Sequence, residues 1–68
     1  MLSRSTIPSL AGTTRVTYCQ DQPKRFLCER DEASLPTAGG FVALGEVRYA
    51  VRRVERIARE ALAYVMPD

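Results

Sequence analysis

The chain lacks the side chains on which most enzyme chemistry at neutral pH depends. Its 68 residues include no histidine, and no nucleophile stands beside an obvious general base. Histidine is the side chain that titrates near neutral pH without help from its surroundings. A chain of this length also has little volume in which to enclose a substrate. We therefore expect a protein without catalytic residues.

Cysteine is scarce as well, because Cys19 and Cys28 are its only occurrences. Two thiolates without a histidine do not complete a tetrahedral zinc site. A disulfide would need an oxidising compartment, and no export signal is recognisable, although whether the two cysteines pair stays open. We expect both to be small buried hydrophobic residues, and we expect no metal and no cofactor.

Long apolar runs and a strong net charge are also absent. No stretch approaches the length of roughly 20 apolar residues that spans a bilayer, and residues 1–15 lack the apolar core of a secretory signal. The 10 Lys and Arg residues stand against 8 Asp and Glu residues, so the net charge is +2. That value is too small to indicate nucleic-acid binding from charge alone. The expected location is the cytoplasm, without membrane contact.

The N-terminal segment has a biased composition. Residues 1–20 contain two arginines, many hydroxyl residues and no acid, a composition that mitochondrial transit peptides share. However, Pro8 and Gly12 would interrupt an amphipathic helix in this segment. We expect residues 1–13 to form a flexible or edge-strand arm, with the transit peptide as the alternative.

The middle of the chain has the pattern of a β-hairpin. Residues 14–20 and 24–29 are rich in β-branched, aromatic and cysteine residues and are separated by a turn at Pro23. If Pro23 occupies the second position of a type I turn, Cys19 lies directly opposite Cys28. A longer loop would shift this register by one residue.

The last third of the chain carries apolar residues at the spacing of an amphipathic helix. A loop at 30–41 that contains Gly39-Gly40 precedes this run, and Pro67 ends it. We predict an α+β fold, in which the hairpin packs on one long helix at about 43–65 (ββα), as a single small domain over residues 14–68. The apolar or aromatic helix positions are Leu44, Val47, Ala50, Val51, Val54, Ile57, Ala58, Ala61, Tyr64 and Val65.

The opposite face of the predicted helix is basic. It presents Tyr49, Arg52, Arg56 and Arg59 and no acid, and Ala63 continues this face toward the end of the helix. Guanidinium groups bind carboxylates and phosphates alike. The flanks of the helix carry both signs, with Arg48 and Arg53 beside Glu46, Glu55 and Glu60. These acids would repel phosphates. We therefore expect the four residues of the basic face to bind an acidic patch on a larger protein.

The expected function is a non-catalytic protein-binding module that regulates or inhibits a larger protein. Small inhibitors encoded by phages and other mobile elements are examples of this class. The alternative is a nucleic-acid-binding protein that uses the same arginines, with Tyr18, Phe26 and Tyr49 as stacking groups.

Self-association is expected from the length of the predicted helix. About 22 helical residues span roughly 33 Å, whereas a compact domain of this size is about 28 Å across. Part of the apolar stripe would stay uncovered unless a second chain covers it. We expect a homodimer that is held together through the helix, with contacts from Val47, Val51, Val54, Ile57, Ala58 and Ala61.

Overall fold

The computed structural model describes residues 12–68. Within this range it contains five strands and no helix; the strands are β1 Thr14–Gln20, β2 Arg25–Glu32, β3 Phe41–Leu44, β4 Val47–Ile57 and β5 Glu60–Pro67. The predicted N-terminal arm rests mainly on residues 1–11, which lie outside the described residues. No helix long and apolar enough to cross a membrane occurs between residues 12 and 68.

The strands form one mixed sheet in the order β2-β1-β5-β4-β3. Strands β1 and β5 are parallel neighbours, and the other neighbouring strands are antiparallel. The sheet is curled, so that its two edge strands approach each other. Arg30 on β2 donates a 3.0 Å hydrogen bond from Nη1 to the carbonyl oxygen of Ala43 on β3. A side chain therefore links the two open edges of the sheet.

One face of the curled sheet, the inner face, holds the hydrophobic core. Its buried side chains recur at every second residue along β1 and β5, as the geometry of a strand requires. The small Ala61 and Ala63 on β5 lie beside Val16 and Tyr18 on β1, which leaves room for the larger side chains of β1. The buried residues are Val16, Tyr18, Val51, Ala61, Ala63 and Val65.

The predicted ββα fold is wrong, because residues 41–67 form three strands instead of one long helix. Two features of the sheet imitate helical spacing. A bulge between Val51 and Arg53 places Val51 and Val54 on the same face although they are three residues apart. The turn between β4 and β5 then continues the apolar stripe into a second strand. The β-branched residues of this segment favour a strand over a helix.

Strands β1 and β2 pair antiparallel, as expected for a hairpin, but in another register. Cys28 lies opposite Tyr18 and Cys19 lies opposite Phe26, with an irregularity between Tyr18 and Cys19. The predicted pairing of Cys19 with Cys28 is therefore wrong. Both cysteines are free thiols and partly exposed, so the expectation that they are fully buried is not met either.

The two short turns of the sheet have related backbone geometry. Two residues connect β3 to β4, and two connect β4 to β5. The first residue of each pair has a positive φ, which is 66° at Gly45 and 57° at Ala58. The loop between β2 and β3 is held against β4, because Gly39 N donates to Val51 O and Val51 N donates to Gly40 O, both at 2.9 Å. The glycine pair thus anchors a loop to the sheet.

Candidate binding surface

The outer face of the sheet, opposite the core, carries most of the exposed side chains with recognisable chemistry. One row of paired residues crosses four strands of this face, from Phe26 through Cys19 and Tyr64 to Arg53. The next row toward the C-terminal end of β5 adds the apolar side chains of Phe41, Ala50 and Met66. We call this half of the outer face the cation–aromatic patch; it comprises Lys24, Phe26, Phe41, Arg48, Arg52, Arg53, Tyr64 and Met66.

Tyr64 is the centre of the patch. The guanidinium carbon of Arg53 lies 4.2 Å from the centroid of the Tyr64 ring, and Lys24 Nζ lies 5.9 Å from the same centroid. The bulge in β4 places Arg53 directly across from Tyr64 and leaves Arg52 exposed beside it. Cations over an aromatic ring are attracted by its quadrupole, so the ring and both cations form one surface.

A second pair of this kind lies at the β3 end of the patch. The guanidinium carbon of Arg48 is 4.2 Å from the centroid of the Phe41 ring. Arg48 Nε is 2.8 Å from Asp68 Oδ2, and the backbone N of Asp68 donates to Arg48 O. Phe41 nevertheless remains 56% exposed and Phe26 remains 62% exposed. Two phenylalanines thus face solvent among cations, at the strand positions where a partner could cover them.

The other half of the outer face is acidic, and we call it the acidic half; it comprises Glu29, Asp31, Glu55 and Glu60. Arg15 lies among these acids, and its Nε and Nη1 each lie 3.7 Å from a carboxylate oxygen, of Glu29 and Asp31 respectively. Glu55 Oε2 lies 3.5 Å from Arg53 Nε of the patch. An apolar groove of about 280 Å³ runs beside these acids; it is lined by Thr17, Ile57, Ala58, Glu60, Ala61 and Leu62. Ile57 is 60% exposed there.

A polar network lies on the inner face, where β2 covers one end of the core. The Tyr18 hydroxyl donates to Glu32 Oε2, and the guanidinium of Arg30 donates to the same oxygen from Nε and Nη2. Burial, together with Glu32, raises the pKa of Tyr18 to about 12. Burial opposes ionisation of Glu32, but its hydrogen bonds to Tyr18 and Arg30 hold its pKa below the usual range. The network is part of the fold and is separate from the outer face.

A second cavity lies between the open edges of the sheet. It measures about 290 Å³ and is lined by Leu27, Cys28, Arg30, Leu44, Gly45 and Tyr49. No group of three or more potential metal-ligating side chains occurs among residues 12–68. The cavity joins aliphatic side chains to a guanidinium group that is already bonded to Glu32 and to Ala43.

The structure does not bring together the four residues of the predicted basic face. Tyr49 is half-buried and packs against the core. Arg52 is exposed at the bulge, beside Arg53 of the patch. Arg56 pairs with the buried Ala61 and therefore belongs to the opposite side of β4, and Arg59 lies in the turn that follows β4. Only Arg52 of the four belongs to the cation–aromatic patch.

The predicted dimer contacts are also dispersed. Val51 and Ala61 are buried in the core, and Val54 packs against it. Val47, Ile57 and Ala58 are exposed. The helix that was expected to align these six residues does not exist, so the stripe is not a surface.

Sequence reasoning missed the row that contains Tyr64 and Arg53. The signal was present in residues 60–66, where Ala61, Ala63 and Val65 alternate with Leu62, Tyr64 and Met66 as the two faces of a strand do.

No protein-family model, no curated protein and no solved structure matches the chain.

Proposed function

We propose that this protein is a non-catalytic binding module that regulates or inhibits a larger protein by placing its cation–aromatic patch on an acidic surface. The observation that carries the proposal is the exposure of Phe26 and Phe41 on the same face as cations that lie over the rings of Phe41 and Tyr64. Aromatic residues, arginine and methionine are enriched in protein interfaces, and truncation of such residues at an interface centre costs the most affinity. Each cation near the rings can bind a carboxylate of the partner.

Stacking prepares the patch for binding. Arg53 and Arg48 lie over aromatic rings, so part of their side-chain entropy is already lost in the free protein. Binding therefore orders fewer rotatable bonds than it would for freely moving arginines. The exposed edges of Phe26 and Phe41 supply apolar area that the charges alone do not.

The test is a capture experiment with matched variants. The immobilised protein is exposed to a nuclease-treated extract of the source organism, and retained proteins are identified by mass spectrometry. The patch variant carries Phe26→Ser and Arg53→Gln, and the control variant carries Arg56→Gln and Arg59→Gln, which lie outside the patch. We expect one acidic protein to bind the unmodified chain and the control, with at least about tenfold weaker binding to the patch variant. If the patch variant retains the captured protein with unchanged affinity, or if the control variant loses it, the proposal is contradicted.

Single-stranded nucleic acid is the second candidate ligand, and the surroundings of Tyr64 favour it. A ring with Lys24 and Arg53 close to it, in one row with Phe26, offers a stacking group and cations together. Fluorescence anisotropy with a labelled single-stranded oligonucleotide separates the candidates. Phosphate binding should weaken steeply between about 50 and 200 mM salt. If no binding occurs at the lower salt concentration, the nucleic-acid candidate is rejected and the protein partner is retained.

A further inference from the structure

We propose that a second copy of this chain binds the outer face, in a two-fold homodimer in which the cation–aromatic patch of each copy covers the acidic half of the other. At the strand positions of the outer face, the charges are segregated along the strands. On the strands, the patch holds three cations, Arg48, Arg52 and Arg53, and Asp68 is ion-paired with Arg48. Arg53 Nε also lies 3.5 Å from Glu55 Oε2 of the acidic half. On the strands, the acidic half holds four acids and the base Arg15, and Arg59 lies in the adjoining turn between β4 and β5. A surface selected only for solubility intersperses both signs.

The charge pattern determines the symmetry of the pair. If the two-fold axis ran along the strands, patch would lie on patch and like charges would meet. An axis that crosses the strands, between the row of Tyr64 and the row of Leu62, places each patch on the opposite acidic half. Such a contact is isologous, so each complementary pair of residues occurs twice.

This axis predicts specific neighbours. Arg53 and Glu55 occupy adjacent outer-face positions of β4, across from Tyr64 and Leu62 respectively. Within one copy, Arg53 Nε lies 3.5 Å from Glu55 Oε2. The axis passes between these positions, so Arg53 of one copy also faces Glu55 of the second copy, and the four side chains form a cluster of alternating charge. The next row on each side brings Ile57 of one copy over the row of Phe41, Ala50 and Met66 of the other. Exposed apolar side chains from both halves are covered in the same contact.

The curl of the sheet limits the size of the contact. The outer face is convex, so two copies touch along β4 and β5 and not over the whole face. An interface below the standard size is typical of weak, reversible association. The dimer also uses the residues assigned above to the partner, so a bound partner and a second copy exclude each other. The dimer itself does not depend on the proposed function, because the isolated chain forms it.

Analytical ultracentrifugation of the isolated protein provides the first test. The unmodified chain should sediment at twice its mass of 7.6 kDa at high micromolar concentration and dissociate on dilution or in concentrated salt. Arg53→Glu should raise the dissociation constant at least about tenfold, because two like-charge contacts with Glu55 replace two attractive ones. Arg56→Glu has the same charge change on the other side of β4 and should leave the dissociation constant within about threefold.

Mixing complementary variants provides the decisive test. Glu55→Arg alone should dissociate as Arg53→Glu does. An equimolar mixture of the two variants restores opposite charges in both contacts, so native mass spectrometry should show the heterodimer as the main dimeric species. A monomeric unmodified chain at all concentrations, an undisturbed Arg53→Glu dimer, or a mixture without heterodimer would each overturn the proposal. Circular dichroism of every variant confirms that the fold is retained.

Discussion

The Tyr18 hydroxyl donates a 2.5 Å hydrogen bond to Glu32 Oε2, and this contact ties a core residue of β1 to the end of β2. Arg30 donates to the same carboxylate oxygen from Nε at 3.0 Å and from Nη2 at 2.8 Å. One buried phenol and one guanidinium therefore share a single acceptor. The same guanidinium also donates to Ala43 O on β3, so the network links the two edge strands of the curled sheet.

The raised pKa of Tyr18 predicts a loss of stability in alkaline solution. The phenol has an ordinary pKa of 10.0 and a pKa of about 12 in the folded protein. Below the lower value it is protonated in both states, and its contribution to stability is complete. Between the two values the unfolded chain ionises first, so the free energy of unfolding falls by about 2 kcal/mol. Urea unfolding from about pH 9 to pH 11.5 measures this loss.

Two variants isolate the contribution of Tyr18. Tyr18→Phe should be less stable near neutral pH by about 1–3 kcal/mol, because Glu32 loses a hydrogen bond, and it should lack most of the alkaline loss. Tyr64→Phe preserves the Tyr18–Glu32 contact and should retain that loss. An equal alkaline loss in Tyr18→Phe and in the unmodified chain would refute the assignment.

The lowered pKa of Glu32 predicts a loss of stability in acid. Its hydrogen bonds to Tyr18 and Arg30 favour the carboxylate despite burial. The contribution is therefore complete above the ordinary pKa of glutamate and disappears as the pH falls through the folded pKa. Glu32→Gln should flatten the acid limb of a plot of unfolding free energy against pH, whereas Glu46→Gln in the β3–β4 turn should leave it unchanged. Identical acid limbs in all three proteins would exclude this role for Glu32.

The positive φ in each of the two short turns predicts that substitutions at Gly45 and at Ala58 change the stability of the protein in opposite directions. Gly45 and Ala58 occupy equivalent turn positions with positive φ, where glycine has no steric penalty and alanine does. Ala58→Gly should therefore stabilise the protein by about 0.5–1 kcal/mol, and Gly45→Ala should destabilise it by about 1 kcal/mol. A Cβ at Gly45 would meet no atom within 4 Å, so the expected loss comes from the backbone alone. Thermal unfolding of both variants measures the direction of each stability change. If both variants were stabilised, or both destabilised, the result would contradict the turn geometry.

The register of the first hairpin predicts that its cysteines stay reduced. Cys28 lies opposite the buried Tyr18, whereas Cys19 follows Tyr18 and belongs to the other face. Their Cβ atoms point apart, which a disulfide does not tolerate. After exposure to a mild oxidant under native conditions, alkylation of the denatured chain should modify both thiols. Protection of both thiols in the monomer would show that the two strands pair in the register predicted from Pro23.

Sequence reasoning identified the two strands of the first hairpin but predicted a helix in place of β3, β4 and β5, because the spacing in β4 depends on long-range pairing. For β1 and β2, the alternating β-branched and aromatic residues were sufficient to identify strands, but the bulge near Cys19 was not visible in the sequence. For β4, Val51 and Val54 have helical spacing only because a bulge adds one residue between them. A bulge is fixed by pairing with a distant strand, so a local period does not reveal it.

The candidate surface depends on the same long-range pairing. Arg53 was assigned to the flank of a helix, yet it faces Tyr64 because β4 and β5 are antiparallel neighbours. Phe26 joins that row through β1, which lies between β2 and β5. The residue types of the patch were apparent from the sequence, but their placement required the strand order.

Ala63 gives the sharpest test of the sheet against the helix. In the predicted helix it lies on the exposed basic side, where a charged substitution would be tolerated. In the structure its side chain is fully buried between Tyr18 and Val54. Ala63→Glu should therefore bury an unpaired carboxylate at a cost of about 3 kcal/mol or more, which is a large part of the stability of a domain of this size. The matched substitution Ala43→Glu, at an exposed position of β3, should cost no more than about 0.5 kcal/mol. Circular dichroism should show a strand-rich spectrum for Ala43→Glu and an unfolded one for Ala63→Glu, whereas a folded Ala63→Glu chain would mean that β5 does not place this residue in the core.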